Sequence, residues 1–517
     1  MTETNMPAFK FRLTTFNAYD DASGKTCAER PFEVQMFGIN ENGQKASITA
    51  EGFTPFFYVK VPSHFRTGHK AMLVHAMYQG VNSNWYDGTI TNTTLVKRHK
   101  FYGFDAKSLH KFVRVDFSNE QAWRKFKNLW YTYEKVGKEY KRTLSTFEVN
   151  GHETELYEAQ IPPLLRLFHL KGIKPSGWIS VPKAHIRTIP KHKRKTNLDF
   201  EISVDWKRII SHPDMETQVP YTVMSFDIEA SSSHGDFPLA KKSYKALAKN
   251  MVDVWDDRTE DQRTNEYIDD IIKTAFGYCY EPVFNVDRIY PKQQPPESMV
   301  DGLTKAFVKR IVKNEDFDDD DFDDEDSDDD DGFCGVEGAA DNGAEESSGW
   351  SGYKKKKTIK TGLTPLEILN NDRLDRETKI NSLNIELTKT YPPVKGDEVT
   401  FIGSTFWRVG DEEPYLNHCI VKGTCNDLGQ VGNAQFDSYD TEAQVMLAWT
   451  KLVQKENPDI VTGYNIFGFD YPFMYTRTKE LGITREFLKL SRNTGEICWK
   501  KDWKTGKTNI EENTIVI

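Results

Sequence analysis

The alternation of apolar and polar positions along the chain predicts a succession of short strands and amphipathic helices. Strand-like runs lie on either side of Asn42-Gly43, a dipeptide that suits a tight hairpin turn. Residues 51–62 form an aromatic strand-like run, and residues 112–117 alternate apolar and charged positions. A helical pattern follows directly over residues 118–130. The first part of the chain therefore predicts a mixed α/β unit.

This helix opens with a capping-box pattern, with Ser118 as the N-cap and Gln121 three positions later. It interleaves basic residues with Trp123 and Trp130, a composition that can contact nucleic acid. An amphipathic helix with a solvated basic face explains the same pattern, and we favour that interpretation. The basic loop 185–195 has two similar interpretations, a phosphate contact or nuclear-import patch, and an ordinary exposed linker.

Regular structure resumes after residue 395. Residues 396–409 and 417–423 are strand-like. A helix starting with a capping box at Thr441 follows, then a strand over residues 459–465 and a helix that begins near Asp470. In an α/β layout of this kind, acids at the ends of strands and helices converge on one edge of a sheet.

An acid pair, Asp227 and Glu229, interrupts an otherwise apolar strand. The flanking residues Val223, Phe226 and Ile228 are typical of a strand covered on both faces. Because strand side chains alternate with a period of two, Asp227 and Glu229 share a face. Two ionised carboxylates one pleat apart repel each other unless cations or strong donors surround them. Taken alone, such a pair is explained most simply by a solvated strand end.

The net charge of −10 has a local origin, because residues 315–331 hold fourteen acids in seventeen positions. Without these acids, the chain carries a charge of about +4. We predict that residues 314–362 are disordered, since like-charge blocks cannot bury enough apolar surface to offset the ordering entropy. The acid run could imitate nucleic acid, bind a basic partner or pair with Lys354–Lys357, but a solvated loop is the simplest interpretation.

Two ordered elements are predicted on either side of this acidic segment. Residues 274–284 form an aromatic, strand-like run. Further on, Thr364 is a good N-cap and Pro365 suits the first position of a helix.

Length and composition indicate a soluble intracellular protein. The 517 residues, 13% of them aromatic, suffice for roughly two to four domains with a sizeable core. Six cysteines without C-x-x-C spacing argue against a zinc ribbon or a disulfide framework and favour a reducing compartment. The amino terminus lacks the apolar core of a signal peptide, and no stretch is long enough to span a bilayer. We therefore expect no membrane partner.

A third acid, Asp470, follows the strand at 459–465. Brought to the edge where Asp227 and Glu229 emerge, it would complete a set of carboxylates able to hold two divalent cations about 4 Å apart, as in phosphoryl-transfer sites. Hard oxygen ligands select Mg²⁺ or Mn²⁺ over zinc. A site of this kind would activate a water molecule against a phosphodiester.

The residues around Asp470 suit a single nucleic-acid strand. Phe467, Phe469 and Tyr471 could stack on terminal bases, and Asn465 could hydrogen-bond near the terminal nucleotide. Core packing explains Phe467 and Phe469 too, and is the simpler interpretation of these residues in isolation.

Two motifs together carry a family resemblance. Residues 225–238, SFDIEASSSHGDFP, and 457–477, NPDIVTGYNIFGFDYPFMYTR, resemble the first and second exonuclease motifs of family B DNA polymerases. These are the delta-like replicative enzymes of eukaryotes and large DNA viruses. Further stretches resemble the same family in the same order, namely residues 52–62, 157–179, 396–406 and 441–449. The resemblance spans roughly residues 30–235 and 396–490.

The resemblance implies an α/β protein with a mixed α/β amino-terminal domain over residues 1–200. An incomplete ribonuclease-H-like 3′–5′ exonuclease domain would follow over residues 201–517. A long, partly disordered insertion over residues 239–395 would interrupt it, because the family usually has a short connection there.

The family's functional residues carry over to five positions. Asp227, Glu229 and Asp470 match its catalytic metal ligands for two divalent cations, Mg²⁺ or Mn²⁺, and Glu229 would also help orient the attacking water. Asn465 and Phe469 match positions that contact the 3′ end of the strand being edited. The third exonuclease motif, a tyrosine with an aspartate four positions later, has no match after Asp470, and the motifs for nucleotide addition are absent.

We therefore expect the amino-terminal portion of a replicative DNA-directed DNA polymerase that by itself lacks polymerase activity and has weak or no exonuclease activity. Its expected partners are primer-template DNA with its single-stranded 3′ end, a polypeptide with the remaining polymerase motifs, and a processivity factor. The expected location is the nucleus or a viral replication site. The alternatives are a stand-alone 3′–5′ exonuclease and a non-catalytic module that binds DNA or a protein partner.

Overall fold

The computed structural model describes residues 7–100, 108–136, 139–232, 237–311, 362–425 and 433–498. Its contacts divide the chain into two compact units. The first comprises residues 1–229, 400–472 and 483–517, and the second comprises residues 230–399 and 473–482. The segment predicted to be disordered, residues 314–362, lies outside the described residues except for residue 362.

The first unit begins with strands that form two sheets and a separate hairpin. The strands are β1 (Ala8–Asp20), β2 (Phe32–Ile39), β3 (Lys45–Glu51), β4 (Phe56–Val61), β5 (Ile90–Arg98), β6 (His110–Phe117), β7 (Tyr131–Val136), β8 (Glu139–Leu144), β9 (Phe147–Val149), β10 (His152–Tyr157), β11 (Trp178–Pro182), β12 (Ile186–Thr188), β13 (Phe200–Asp205) and β14 (Ile210–His212). Three helices accompany them, α1 (Lys70–Val81), α2 (Glu120–Lys127) and α3 (Pro163–Lys171).

The larger sheet has seven strands in the order β12-β13-β3-β2-β1-β11-β14. Strands β2 and β3 are antiparallel, with Met36 opposite Ile48. The predicted hairpin turn is confirmed, because the Gly43 N–H donates to the Asn40 carbonyl at 3.0 Å. Gly43 has a φ of 80°, a left-handed conformation that costs glycine little. The turn chemistry therefore sets the β2–β3 pairing locally.

The second sheet has five strands in the order β5-β6-β4-β10-β9, while β7 pairs with β8. Trp123 and Trp130 are buried in the core beside this sheet, which confirms the amphipathic interpretation of their segment. The predicted N-cap is wrong by one residue, because the Asn119 side chain accepts the Ala122 N–H at 2.8 Å. Ser118 still extends the pairing of β6, since its N–H donates to the Thr89 carbonyl at 2.8 Å and its carbonyl accepts the Phe32 N–H at 2.9 Å, and the helix is capped one residue later.

The second unit contains the next five helices along the chain, α4 (Lys245–Asp256), α5 (Asn265–Phe276), α6 (Glu297–Phe307), α7 (Pro365–Leu369) and α8 (Arg376–Thr390). They enclose one apolar core that includes Trp255, Phe276 and Tyr391. The predicted insertion therefore contains a packed helical body within its described residues.

Two local predictions fall in these helices. The strand predicted over residues 274–284 is wrong, because α5 continues to Phe276 and ends at Gly277, which has a φ of 78°. The aromatic side chain of Phe276 is buried in the helical core instead of a sheet. The start of α7 is confirmed, since the Thr364 side chain accepts the Glu367 N–H at 3.3 Å.

A five-stranded sheet completes the fold, with β15 (Thr222–Ser231), β16 (Glu398–Arg408), β17 (Leu416–Lys422), β18 (Ala434–Tyr439) and β19 (Ile460–Thr462) in the order β18-β17-β16-β15-β19. Helices α9 (Glu442–Glu456), α10 (Asp470–Leu481) and α11 (Thr484–Phe487) follow in the chain. Strands β15 and β19 are parallel, with Val223 opposite Ile460. The predicted capping box of Thr441 and Gln444 is confirmed at the start of α9.

Two findings concern the whole described part of the chain. None of its helices combines the length and apolar character that crossing a membrane requires. Its five cysteines, Cys27, Cys279, Cys419, Cys425 and Cys498, all carry free thiols.

Candidate functional site

Strand β15 carries Asp227 and Glu229 on its solvent-facing side. Met224, Phe226 and Ile228 are buried, whereas both acids are exposed. The predicted sharing of one face by the two acids is thus confirmed. The prediction that this strand is covered on both faces is wrong, because burial alternates along it.

The buried face of β15 packs on two helices. The Phe226 ring lies 4.9 Å from the Trp449 ring of α9 and 5.2 Å from the Tyr471 ring of α10, measured between centroids. The indole N–H of Trp449 donates to the Ser404 hydroxyl at 3.2 Å. These buried contacts hold β15 against both helices and leave its opposite face open to solvent.

The turn between β19 and α10 depends on close backbone packing. Asn465 has a left-handed φ of 51° and its carbonyl accepts the Gly468 N–H at 3.0 Å. A Cβ on Gly463 would lie 2.7 Å from the Phe226 carbonyl oxygen, and one on Gly468 would lie 2.3 Å from Asn465 Oδ1. Glycine at both positions therefore lets the turn approach β15 and start α10 at Asp470.

Asp470 meets β15 at a single backbone group. Its side chain belongs to a residue that is 1% exposed, and its Oδ1 accepts the Ile228 N–H at 3.2 Å. The same N–H lies 3.1 Å from Asp227 Oδ1. Burial, and secondly the neighbouring Asp227 carboxylate, raise the pKa of Asp470 to about 6. The structure thus joins two of the predicted acids.

Glu229 is not gathered into a cluster with these two acids. Its backbone carbonyl accepts the Thr400 hydroxyl at 3.2 Å, while its side chain is exposed. Among the residues that the structure describes, no three Asp, Glu, His or Cys side chains are close enough to hold a metal ion. The donor chemistry nevertheless fits a divalent cation, because Asp227 and Asp470 are hard ligands whose repulsion a cation would relieve.

The aromatic residues of the turn differ widely in exposure. Asn465 is exposed and Phe469 is half-buried. Phe467 is 75% exposed, so its interpretation as a core residue is wrong, although its ring contacts Tyr471 at a centroid distance of 5.8 Å. Tyr471 is buried against Phe226, so the predicted stacking of Tyr471 on a base is wrong.

Sequence reasoning missed Tyr464, whose side chain is 96% exposed. The available signal was an aromatic residue directly between Gly463 and Asn465, in a turn too tight to bury it. A cleft of about 770 Å³ lies beside this turn and is lined by Phe467 and Tyr471, but by none of the three acids. The exposed acids Asp227 and Glu229 therefore lie on a different surface from this cleft.

Comparisons with known proteins show which family this chain resembles. A family model described as DNA polymerase family B, exonuclease domain, matches residues 154–298 and 354–516. The DNA polymerase of Phaeocystis pouchetii virus is 37% identical over 538 residues, covering 100% of this chain and 51% of that protein. The DNA polymerase delta catalytic subunit of Drosophila melanogaster is 24% identical over 231 residues, covering 42% of this chain and 20% of that protein.

A solved structure, that of the family B DNA polymerase from the hyperthermophilic archaeon Pyrobaculum calidifontis, is also similar. Its sequence identity is 14% and its TM-score 0.41, covering 96% of this chain and 35% of that chain.

The sequence matches identify the domain that carries Asp227 and Asp470 as an exonuclease domain. The chain belongs to DNA polymerase family B. It spans about half the length of the viral relative.

Proposed function

We propose that this chain supplies the 3′–5′ proofreading exonuclease of a replicative DNA polymerase. The observation that carries the proposal is the meeting of Asp227 and Asp470 at the Ile228 N–H, with Glu229 on the same face of β15. The substrate would be the single-stranded 3′ end of a primer released from its template. Two carboxylates held together at strand β15, with the exposed Glu229 on the same strand, suit hydrolysis of a phosphodiester.

Asp227, Glu229 and Asp470 would hold two divalent cations, Mg²⁺ or Mn²⁺. When bound, such cations lower the pKa of a water molecule and neutralise charge that builds on the scissile phosphate. The protein's own part is to place the ligands. Strand β15 presents Asp227 and Glu229 on one face, and the Ile228 N–H orients Asp470. Glu229 is free to orient the attacking water from its exposed position.

The turn before α10 would hold the terminal nucleotides. Asn465 can donate or accept hydrogen bonds at the terminal nucleotide, and Phe469 can wedge beside its base. The exposed rings of Tyr464 and Phe467 add stacking surfaces for neighbouring bases. Stacking of this kind tolerates any base, as proofreading requires.

We infer that polymerase activity belongs to a longer protein, since this chain spans about half the length of the viral relative. The support is that the relatives are named DNA polymerases and are longer than this chain. We infer that a polypeptide with the remaining polymerase motifs and a processivity factor are its partners, at a nuclear or viral replication site.

A nuclease assay tests the proposal. The purified chain is incubated with 5′-labelled single-stranded DNA and Mg²⁺ or Mn²⁺, beside Asp227→Ala and the control Glu412→Ala, which removes an exposed acid elsewhere. Stepwise 3′ shortening that Asp227→Ala abolishes and Glu412→Ala retains would support an exonuclease. Shortening that requires a second polypeptide with the remaining motifs would support a polymerase portion.

DNA binding without cleavage under all these conditions, including the added polypeptide, would contradict the proposal. It would favour a non-catalytic module that binds DNA.

A further inference from the structure

A buried acid, Asp459, lies between two basic side chains directly before β19. Its side chain is 1% exposed. Asp459 Oδ2 lies 3.2 Å from Lys45 Nζ, and Oδ1 lies 2.6 Å from Arg492 Nη2. Lys45 belongs to β3 and Arg492 follows α11 in the chain. These three residues, the Asp459 cluster, come from distant parts of the sequence but meet within the first unit.

Asp459 also makes two hydrogen bonds to Thr222, the first residue of β15, one to its carbonyl and one from its N–H. The Asp459 N–H donates to the Thr222 carbonyl at 2.7 Å. Asp459 Oδ2 accepts the Thr222 N–H at 2.8 Å. The side chain therefore fixes Thr222 in register with Asp459, one step before Val223 pairs with Ile460.

The two cations hold the chain that leads into β19. Lys45 donates to the Asn457 carbonyl, and Arg492 donates to the Pro458 carbonyl at 2.8 Å. Asn457 has a left-handed φ of 48° and ends α9. The Asp459 cluster thus binds both the exit of α9 and the entry of β19.

Changing the arrangement of this cluster would cost free energy. A buried carboxylate is tolerated only with charged partners and hydrogen-bond donors, and removing one partner leaves an uncompensated buried charge. Strand β19 itself is only three residues long and so contributes few ladder hydrogen bonds. The register of β19 on β15 therefore depends heavily on Asp459, and a slip of one residue would reverse the faces of the strand.

We propose that Asp459 is a positioning residue for the exonuclease site, an inference that rests on the function proposed above. By locking β19 to β15, the Asp459 cluster sets where the following turn delivers Asp470. The Ile228 N–H, to which Asp470 bonds, lies on the same strand as Thr222, to which Asp459 bonds. Both ends of the segment 459–470 are thus hydrogen-bonded to β15.

Hydrogen exchange of the Ile228 amide in the metal-free chain tests this proposal without relying on activity. The variant Asp459→Asn keeps the side-chain shape and removes the charge. We expect it to speed exchange at Ile228 by about tenfold or more, through loosening of the segment that holds Asp470. The matched control is Asp397→Asn, which removes a buried acid 2.6 Å from Lys242 in the second unit and should leave Ile228 exchange unchanged.

The proposal is overturned if Ile228 keeps its protection in Asp459→Asn. This holds whether the substitution only lowers the melting temperature or speeds exchange only at residues 457–462. Because Asp459→Asn can fail to fold, Arg492→Gln provides a milder variant. It removes one of the two charge partners and should accelerate exchange at Ile228 in the same direction; unchanged protection at Ile228 would again overturn the proposal.

Mn²⁺ binding measured by electron paramagnetic resonance separates this inference from the proposed function. If the unaltered chain binds Mn²⁺ and Asp227→Ala does not, Asp459→Asn should weaken binding by about tenfold. Unchanged Mn²⁺ affinity in Asp459→Asn would then refute the positioning role alone. If the unaltered chain binds no Mn²⁺, the proposed exonuclease site fails, and exchange at Ile228 still decides whether Asp459 positions Asp470.

Discussion

The Asp470 carboxylate accepts a hydrogen bond from the Ile228 backbone N–H at 3.2 Å, across 242 positions of sequence. Asp227 Oδ1 lies 3.1 Å from the same N–H. Two acids therefore compete for one donor, and this crowding together with burial raises the pKa of Asp470 to about 6. Such stored repulsion has consequences for stability as well as for chemistry.

Replacing Asp470 by Asn should stabilise the metal-free fold above pH 6. The pKa of Asp470 rises from an ordinary 3.8 to about 6 on folding. The folded state thus favours the protonated acid, so stability present below pH 4 is lost as the pH rises towards 6. Because Asn resembles the protonated acid, it should raise the free energy of unfolding by about 1–3 kcal/mol at pH 8.

Urea unfolding without divalent cations, measured at pH 8 and below pH 4, checks this prediction. The stabilisation by Asp470→Asn should vanish at the lower pH. Equal stability of the unaltered protein and Asp470→Asn at pH 8, or a difference that persists below pH 4, would contradict the prediction. Ionisation of Asp470 would then cost the folded state no stability.

Substitution of Gly468 by Ala should weaken binding of a single-stranded 3′ end by about three- to tenfold. The new Cβ would lie 2.3 Å from Asn465 Oδ1, so the Asn465 side chain must move from its present place. The loss of stability should be small, because a flexible side-chain end gives way. Fluorescence anisotropy with labelled DNA measures the effect.

Gly302→Ala is the matched control for this change. Gly302 lies in α6, and a Cβ added there would meet no atom within 4 Å. Ala should therefore add about 0.5–1 kcal/mol of helix stability without altering DNA affinity. Unchanged DNA binding by Gly468→Ala would argue against contact between Asn465 and the strand.

Truncation of the exposed rings Tyr464 and Phe467 to Ala should weaken single-strand binding by about 1–3 kcal/mol each, the usual value of base stacking. Neither change should lower the melting temperature much, since the side chains are 96% and 75% exposed. Tyr280→Ala serves as control, because Tyr280 is 98% exposed in the second unit. If all three variants bind DNA as tightly as the unaltered chain, the turn does not stack on bases.

His418 should contribute a loss of stability as the pH drops below 6.5, opposite in sign to the contribution of Asp470. Burial lowers the pKa of this imidazole from 6.5, despite the opposing effect of Asp437, whose Oδ2 lies 3.2 Å from Nε2. As the pH falls, His418 is therefore protonated more readily in the unfolded chain than in the folded chain, which favours unfolding in acid. His418→Gln should flatten this part of the pH profile of unfolding. A slope unchanged by the substitution would contradict the prediction.

Predictions from local chemistry agreed with the structure where local contacts decide the outcome. The turn at Asn42-Gly43 and the capping box of Thr441 and Gln444 each satisfy backbone groups within a few residues. By contrast, Ser118 failed as an N-cap because its backbone pairs with Thr89 and Phe32, far away in the sequence, and Asn119 caps the helix instead. The strand predicted over residues 274–284 failed because its first three residues belong to α5, where Phe276 packs into a helical core.

The same division holds for the candidate site. The sequence by itself determined that Asp227 and Glu229 share one face of a strand, because side chains alternate along any strand. Only the tertiary structure decided that Asp470 joins Asp227 at the Ile228 N–H. It also decided that Tyr471 is buried while Tyr464 is exposed, and that Asp459 contacts two basic side chains. These relationships depend on contacts between segments far apart in the chain, whose register and packing no local pattern specifies.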